Sequence, residues 1–151
     1  MKKIVLFIMS LGIMLFLTGC GSSNVSGSLE DLMTKVYEGI PEEELPMMLM
    51  NTEINDENIE YYLGTSDISY KEALASESGV GSIAHSIVLV RLNDDANVQE
   101  TVKKIKEKVN PNKWICVGVQ DDQVIVKNRG NLLILIMSEN HAKYSDNFDN
   151  L

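Results

Sequence analysis

The segment 83–92 constrains the fold of this chain more than any other stretch. It is rich in β-branched residues and becomes apolar on both alternating faces toward its end, and a polar turn, Asn93-Asp94-Asp95, follows it. A strand with this pattern lies in the interior of a sheet rather than at its edge. We therefore predict that residues 83–92 form the central strand of a sheet.

Helix signals occur before and after this strand in the sequence. Each predicted helix starts at a residue whose side chain can accept a hydrogen bond from the first turn, and each stops at glycine or proline. The predicted helices are 28–38, capped by Ser28; a short helix from Asn55 to Gly64; and 97–110, capped by Asn97 and stopped by Pro111.

Alternating strand and turn signals account for most of the remaining chain. Residues from 138 onward are polar and predict a short helix or a frayed tail. The predicted strands are a weak one at 70–76 and three more at 114–119, 124–127 and 132–137, with turns at 121–122 and 128–131.

The order of these elements indicates the fold class. Short hairpin connections favour antiparallel pairing, and helices segregated beside such a sheet are typical of α+β proteins. We predict a single α+β domain over residues 28–151, with a largely antiparallel sheet and helices packed on one face.

The amino-terminal residues have the pattern of an export signal. Lys2 and Lys3 precede an apolar run over residues 4–17, and the tetrad Leu17-Thr18-Gly19-Cys20 ends it. A charged start, an apolar run and small residues before a cleavage point are the parts of a signal peptide. The tetrad resembles the lipobox of bacterial lipoproteins, in which the cysteine receives a lipid and becomes the first residue of the mature chain.

This resemblance implies a signal peptide at residues 1–19 and a lipid on Cys20. The alternative, an uncut transmembrane anchor, needs about 20 apolar residues, more than this run supplies. The Gly- and Ser-rich residues 20–27 would then be a lipidated cysteine and a flexible tether. We expect the protein on the extracytoplasmic face of the cell membrane, attached to it through the lipid on Cys20.

Charge and cysteine content restrict the partners of the mature chain. The full chain carries a formal net charge of -9, and loss of Lys2 and Lys3 with the signal peptide lowers it to -11. Such a chain repels phosphate backbones, so we expect no nucleic-acid partner. Once Cys20 is lipidated, Cys116 has no second cysteine for an internal disulfide, and the fold depends on packing.

Three further segments carry a resemblance to a known family. They are Asn58-Ile59-Glu60-Tyr61-Tyr62-Leu63-Gly64, Ser82-Ile83-Ala84-His85-Ser86 and Asn112-Lys113-Trp114-Ile115-Cys116-Val117, in that order behind the lipobox. Together they resemble a family of Gram-positive bacterial lipoproteins, domain of unknown function 4358. The resemblance implies a cell-surface lipoprotein and adds no substrate, cofactor or catalytic residue.

The sequence contains few candidates for catalysis. His85 and Ser86 are adjacent in a strand and point to opposite faces, so they cannot act on each other. A partly buried histidine with a hydrogen-bond partner is the interpretation that we favour for His85. Cys116 in an apolar strand would be an inert thiol, although pairing with His85 as thiolate and base would make a small hydrolase. We predict no catalytic residue, metal or cofactor.

The methionines Met47, Met48 and Met50 follow Pro46 and can be interpreted in three ways. Methionine most often fills gaps in a core, which is the interpretation we favour. The same side chains could form an interaction surface for an apolar partner, or their thioethers could bind Cu(I). For the protein as a whole, we expect a non-catalytic binding or assembly domain of the cell envelope, with a small extracytoplasmic hydrolase as the alternative.

Overall fold

The computed structural model of the protein describes residues 24–151. The predicted signal peptide and Cys20 lie outside the described residues. Within residues 24–151, no helix is both long and apolar enough to cross a bilayer. The helices are α1 (Leu29–Val36), α2 (Ile59–Leu63), α3 (Val98–Lys108) and α4 (His141–Asp149), and the strands are β1 (Leu49–Glu53), β2 (Tyr70–Ser78), β3 (His85–Leu92), β4 (Val124–Arg129) and β5 (Leu132–Ser138).

The five strands form one sheet in the order β1-β2-β3-β5-β4, and every neighbouring pair is antiparallel. β3 lies at the centre, as its sequence predicts, and Ile87, Val88 and Leu89 are fully buried. The predicted α+β class with an antiparallel sheet is therefore confirmed.

Helices cover both faces of the sheet, which differs from the predicted packing on one face. α2 and α3 pack on the face that contains Val88, whereas α1 and α4 pack on the face that contains Ile87. The reason is that β3 and β5 are apolar on both sides, so an uncovered face would leave apolar surface in water. Tyr144 and Phe148 of α4 are both fully buried and cover part of the sheet face that contains Ile87.

Local signals place the helix ends close to where the sequence predicts them. The Ser28 hydroxyl accepts the Asp31 N–H at 3.1 Å, and the Asn97 side chain accepts the Glu100 N–H at 3.2 Å. Gly64 ends α2 with φ of 71°, and a Cβ at this position would lie 2.2 Å from the Lys108 carbonyl oxygen. Glycine is thus required there both for the left-handed backbone and for the close approach of α3.

α2 begins later than predicted, at Ile59 with Asn58 as its N-cap residue. Asn55 instead forms a turn in which its side chain accepts the Glu57 N–H at 2.9 Å. Asparagine side chains stabilise such turns as readily as helix starts, and the sequence signal does not separate the two.

The predicted strand at 114–119 is absent from the structure, and the segment forms an irregular loop between α3 and β4. The loop closes where the Val119 N–H donates to the Pro111 carbonyl at 3.0 Å, and Cys116 adopts a left-handed φ of 60°. Of the three consecutive strands predicted at 114–119, 124–127 and 132–137, only the last two form, and they pair as the hairpin of β4 and β5. The loop lies over the α2 face of the sheet, and Trp114 packs partly buried against that face without entering the sheet.

Residues 24–27 are held against the folded body, unlike the flexible tether predicted for residues 20–27. Val25 is buried, and Arg91 of β3 donates to the carbonyls of Val25 and Gly27 at 2.6 and 2.7 Å. The Asn24 side chain accepts the Asn131 N–H at 3.2 Å. An apolar side chain and a fork of guanidinium donors thus order a segment whose composition indicates flexibility.

These contacts define two opposite ends of the sheet. The tether end is where β3 finishes and β5 begins, near Arg91 and Asn131. The hairpin end is where residues 79–84 connect β2 to β3. Because β2 is nine residues long, the two ends are about 26 Å apart.

Candidate functional site

A row of three side chains crosses the sheet at the hairpin end, on the face covered by α2. Met50 of β1 lies opposite Glu77 of β2, and Glu77 lies opposite Ser86 of β3. Directly opposed residues in antiparallel strands point to the same face. The row therefore places a carboxylate and a hydroxyl side by side on a sheet face whose central residues are apolar.

Lys113 from the loop between α3 and β4 covers this row. Its side chain is only 3% exposed, and its ammonium forms an ion pair with Glu77, whose side chain is 16% exposed. The Lys113 Nζ also donates to the Ser86 hydroxyl at 3.2 Å. Its ion-pair partner and its hydrogen-bond acceptor thus both come from the sheet beneath it.

Three aromatic rings complete the surroundings of Lys113. Its Nζ lies 4.5 Å from the ring centroid of Tyr61, 4.9 Å from that of Tyr62 and 5.3 Å from that of Trp114. Ring faces attract a cation at these distances, and the attraction is greater where water is excluded. Burial lowers the pKa of Lys113 below its ordinary value, while the neighbouring Glu77 carboxylate acts in the opposite direction.

This cluster unites the three segments on which the family resemblance depends. Tyr61 and Tyr62 belong to the first segment, Ser86 to the second, and Lys113 and Trp114 to the third. We did not predict the cluster from the sequence, because a lone lysine beside a tryptophan carries no local sign of burial.

The large hydrophobic side chains that are most exposed surround the same end of the sheet. Among the described residues, five are exposed by half or more, and we call them the apolar rim. They are Met47 (68% exposed), Met48 (65%), Met50 (57%), Tyr61 (52%) and Ile115 (71%).

Backbone contacts hold the apolar rim around the β2–β3 hairpin. The Gly79 N–H donates to the Met48 carbonyl at 2.8 Å, and the Ile115 N–H donates to the Gly81 carbonyl at 2.9 Å. Tyr61 joins the rim through its ring contact with Lys113. The apolar rim therefore gathers around the hairpin end of the sheet.

The interpretation of the methionines as core residues is wrong. Met47 and Met48 precede the edge strand β1. Met50 lies on β1, which pairs on one side only among the strands of residues 24–151. The rim also contains Tyr61 and Ile115, which are not copper ligands, so an apolar surface is the property that all five residues share.

Exposure of the methionines leads to a direct stability prediction. Replacing Met47, Met48 and Met50 together with serine should change the free energy of unfolding by less than about 1 kcal/mol, since exposed substitutions are close to neutral. Buried methionines would each cost about 2 kcal/mol or more on truncation. Urea denaturation of parent and variant measures the difference, and the opposite result, a large loss, would return these residues to the core.

His85 lies on the other face of the sheet and has the predicted hydrogen-bond partners, but it is more deeply buried than the predicted partial burial, with 1% of its surface exposed. Its Nε2 lies 2.7 Å from the Tyr37 hydroxyl, and its Nδ1 lies 2.9 Å from the Ser138 hydroxyl. The Tyr37 hydroxyl in turn donates to Ser76 at 3.0 Å. Burial lowers the pKa of His85 to about 4, so the ring is neutral near pH 7.

The structure does not bring Cys116 to His85. Cys116 is exposed in a turn, contrary to the predicted apolar strand setting. Every side-chain hydrogen bond and ring contact of His85 within residues 24–151 is to Tyr37, Ser138 or Tyr144. The arrangement thus lacks the thiolate and base contact on which a hydrolase of this type depends.

Among the described residues, no group of three or more His, Cys, Asp or Glu side chains could hold a metal ion.

No family model, no curated protein and no solved structure matches the chain. The resemblance of the three segments to the lipoprotein family stays a prediction.

Proposed function

We propose that this protein is anchored by a lipid on Cys20 to the extracytoplasmic face of the cell membrane and binds another envelope protein through its apolar rim. The observation that carries the proposal is the position of the rim. All five of its residues gather at the hairpin end, whereas the chain enters the fold at the tether end.

The length of the connection to the lipid determines which end faces the membrane. Only residues 21–23 separate Cys20 from Asn24, which contacts the tether end. A fully extended chain spans about 14 Å over that separation. The tether end therefore lies close to the lipid headgroups, and the apolar rim projects away from them.

Charge supports a protein partner over a lipid surface. The mature chain has a net charge of -11, which disfavours binding to anionic headgroups. An apolar surface rimmed by polar residues and directed away from the bilayer is typical of a protein interaction site.

Photo-crosslinking in cells tests this function. A photoreactive residue at position 48 should give crosslinks to envelope proteins, because this position lies in the apolar rim. The same residue at position 106 on the exposed side of α3 should give none and is the matched control.

The lipid anchor is tested separately. Palmitate labelling of the parent should disappear in Cys20→Ala, along with retention in the membrane fraction. Normal labelling of Cys20→Ala, or equal crosslinking at both positions, would contradict the proposal.

A further inference from the structure

The edge strand β1 directs part of its backbone away from the sheet. The Ile54 N–H donates to the Ala73 carbonyl at 2.9 Å, and the Met48 carbonyl accepts the Gly79 N–H at 2.8 Å. In an antiparallel pair, residues alternate between those that bond the neighbouring strand and those that point outward. Met48 and Ile54 bond β2, so the even-numbered residues between them also face β2. The amides of Leu49 and Asn51 therefore point away from β2.

These outward groups are available for pairing. Within residues 24–151, the backbone amides of Leu49 and Asn51 make no hydrogen bond. Natural edge strands are commonly protected by lysine, proline or a bulge. β1 contains none of these, since its sequence is Leu-Met-Asn-Thr-Glu and its register with β2 is regular.

A groove runs beside the same edge, between β1 and α1. It has a volume of about 380 Å³, and Leu49 and Asn51 line it together with Met33, Tyr37 and Leu45. A strand added to β1 would point alternate side chains into this groove. The backbone edge and the groove are therefore parts of one surface.

Acidic side chains flank this surface at both ends. Residues Glu42–Glu44 immediately precede Leu45, and Glu42 and Glu43 form no ion pair among the described residues. Glu53, at the far end of β1, also lacks one within residues 24–151. A second copy of this chain would bring like charges together, whereas a segment with basic side chains would complement them.

We propose that β1 binds an extended segment of a partner protein by strand addition, and that this segment carries lysine or arginine on either side of an apolar residue. Main-chain hydrogen bonds to Leu49 and Asn51 would supply affinity, and the groove would select the apolar side chain. This inference rests on the proposed envelope-binding function and specifies the chemistry of the partner.

Synthetic peptides test strand addition with the purified lipidated protein in detergent micelles. The probe is a fluorescent nine-residue peptide of alternating valine and lysine, with binding measured by anisotropy. A second peptide carries N-methyl groups on alternate amides, which removes the donors needed for pairing and keeps the charge. We expect the N-methylated peptide to bind at least about tenfold more weakly, because strand addition depends on main-chain hydrogen bonds.

Substitutions at Asn51 provide the matched test on the protein. Asn51→Pro removes an N–H that points away from β2, and proline is tolerated at such edge positions. This variant should keep its circular dichroism spectrum and bind the valine–lysine peptide at least about tenfold more weakly than Asn51→Ala, which also removes the Asn51 side chain from the groove but keeps the backbone N–H. The N-methyl comparison, which leaves the protein unchanged, decides the matter if Asn51→Pro does not fold.

Equal binding of the two peptides, or unchanged binding by a folded Asn51→Pro variant, would overturn strand addition and leave only charge attraction. A parent dimer that Asn51→Pro dissociates would overturn it in favour of a second copy. Neither result changes the crosslinking expected at position 48, so failure of this inference is distinguishable from failure of the proposed function.

Discussion

Replacing Lys113 with methionine is expected to lower the free energy of unfolding by about 3 kcal/mol, because it leaves the Glu77 carboxylate buried without its counter-charge. Methionine keeps most of the length and apolar surface of the lysine stem, so the loss reports mainly the missing charge. The variant also loses the donor to Ser86 and the cation between Tyr61 and Tyr62.

A second substitution separates the charge effect from packing. Adding Glu77→Gln to Lys113→Met removes the unpaired charge and should recover at least half of the lost stability, as buried ion pairs exchange for neutral groups at small net cost. Lys106→Met, at an exposed lysine of α3, should change stability by less than about 0.5 kcal/mol. Urea denaturation of chains that begin at residue 21 measures all variants. A double variant as unstable as Lys113→Met alone would show that Lys113 acts through packing rather than charge.

Acid is expected to destabilise the fold through His85. The pKa of this residue is about 4 in the folded protein and 6.5 when exposed in the unfolded chain, because burial disfavours the charged ring. Between these values the unfolded state binds more protons than the folded state. The stability that depends on neutral His85 is thus fully present above pH 6.5, and about 3 kcal/mol of it is lost as the pH falls toward 4.

Comparison with His85→Gln isolates this effect from the carboxylates, which also titrate at low pH. Glutamine can hydrogen-bond Tyr37 and Ser138 and does not gain a proton in this range. Free energies of unfolding at pH 7 and pH 4 should therefore differ by about 3 kcal/mol less in the variant than in the parent. His141→Gln, at the start of α4, is the control and should follow the parent. Identical pH dependence of the parent and His85→Gln would contradict the assignment.

Features set by neighbouring residues were predictable from the sequence. Ser28 and Asn97 cap their helices because each side chain reaches an N–H only three residues away. Gly64 ends α2 because a left-handed turn favours glycine. The central position of β3 followed from its apolar residues on both faces, which only the interior of a sheet can bury.

The candidate site depended on contacts that no local pattern contains. Lys113 and Glu77 are separated by 36 positions in the sequence, so the burial of Lys113 arises only when the loop after α3 folds over β2. Exposure of the methionines likewise followed from the strand order, which leaves β1 at an edge.

The packing of α1 and α4 on the second face of the sheet also depended on the tertiary structure. α4 is mostly polar, and its buried side chains are the two aromatic residues Tyr144 and Phe148. These two side chains are buried because they pack against the sheet face that contains Ile87. Sequence by itself thus determined the caps of α1 and α3, the glycine end of α2 and the central strand. Hydrogen bonds within a few residues govern the helix ends, and apolar residues on both faces mark an interior strand. Which surfaces meet and which stay exposed was decided only by the tertiary structure, because burial depends on partners that are distant along the chain.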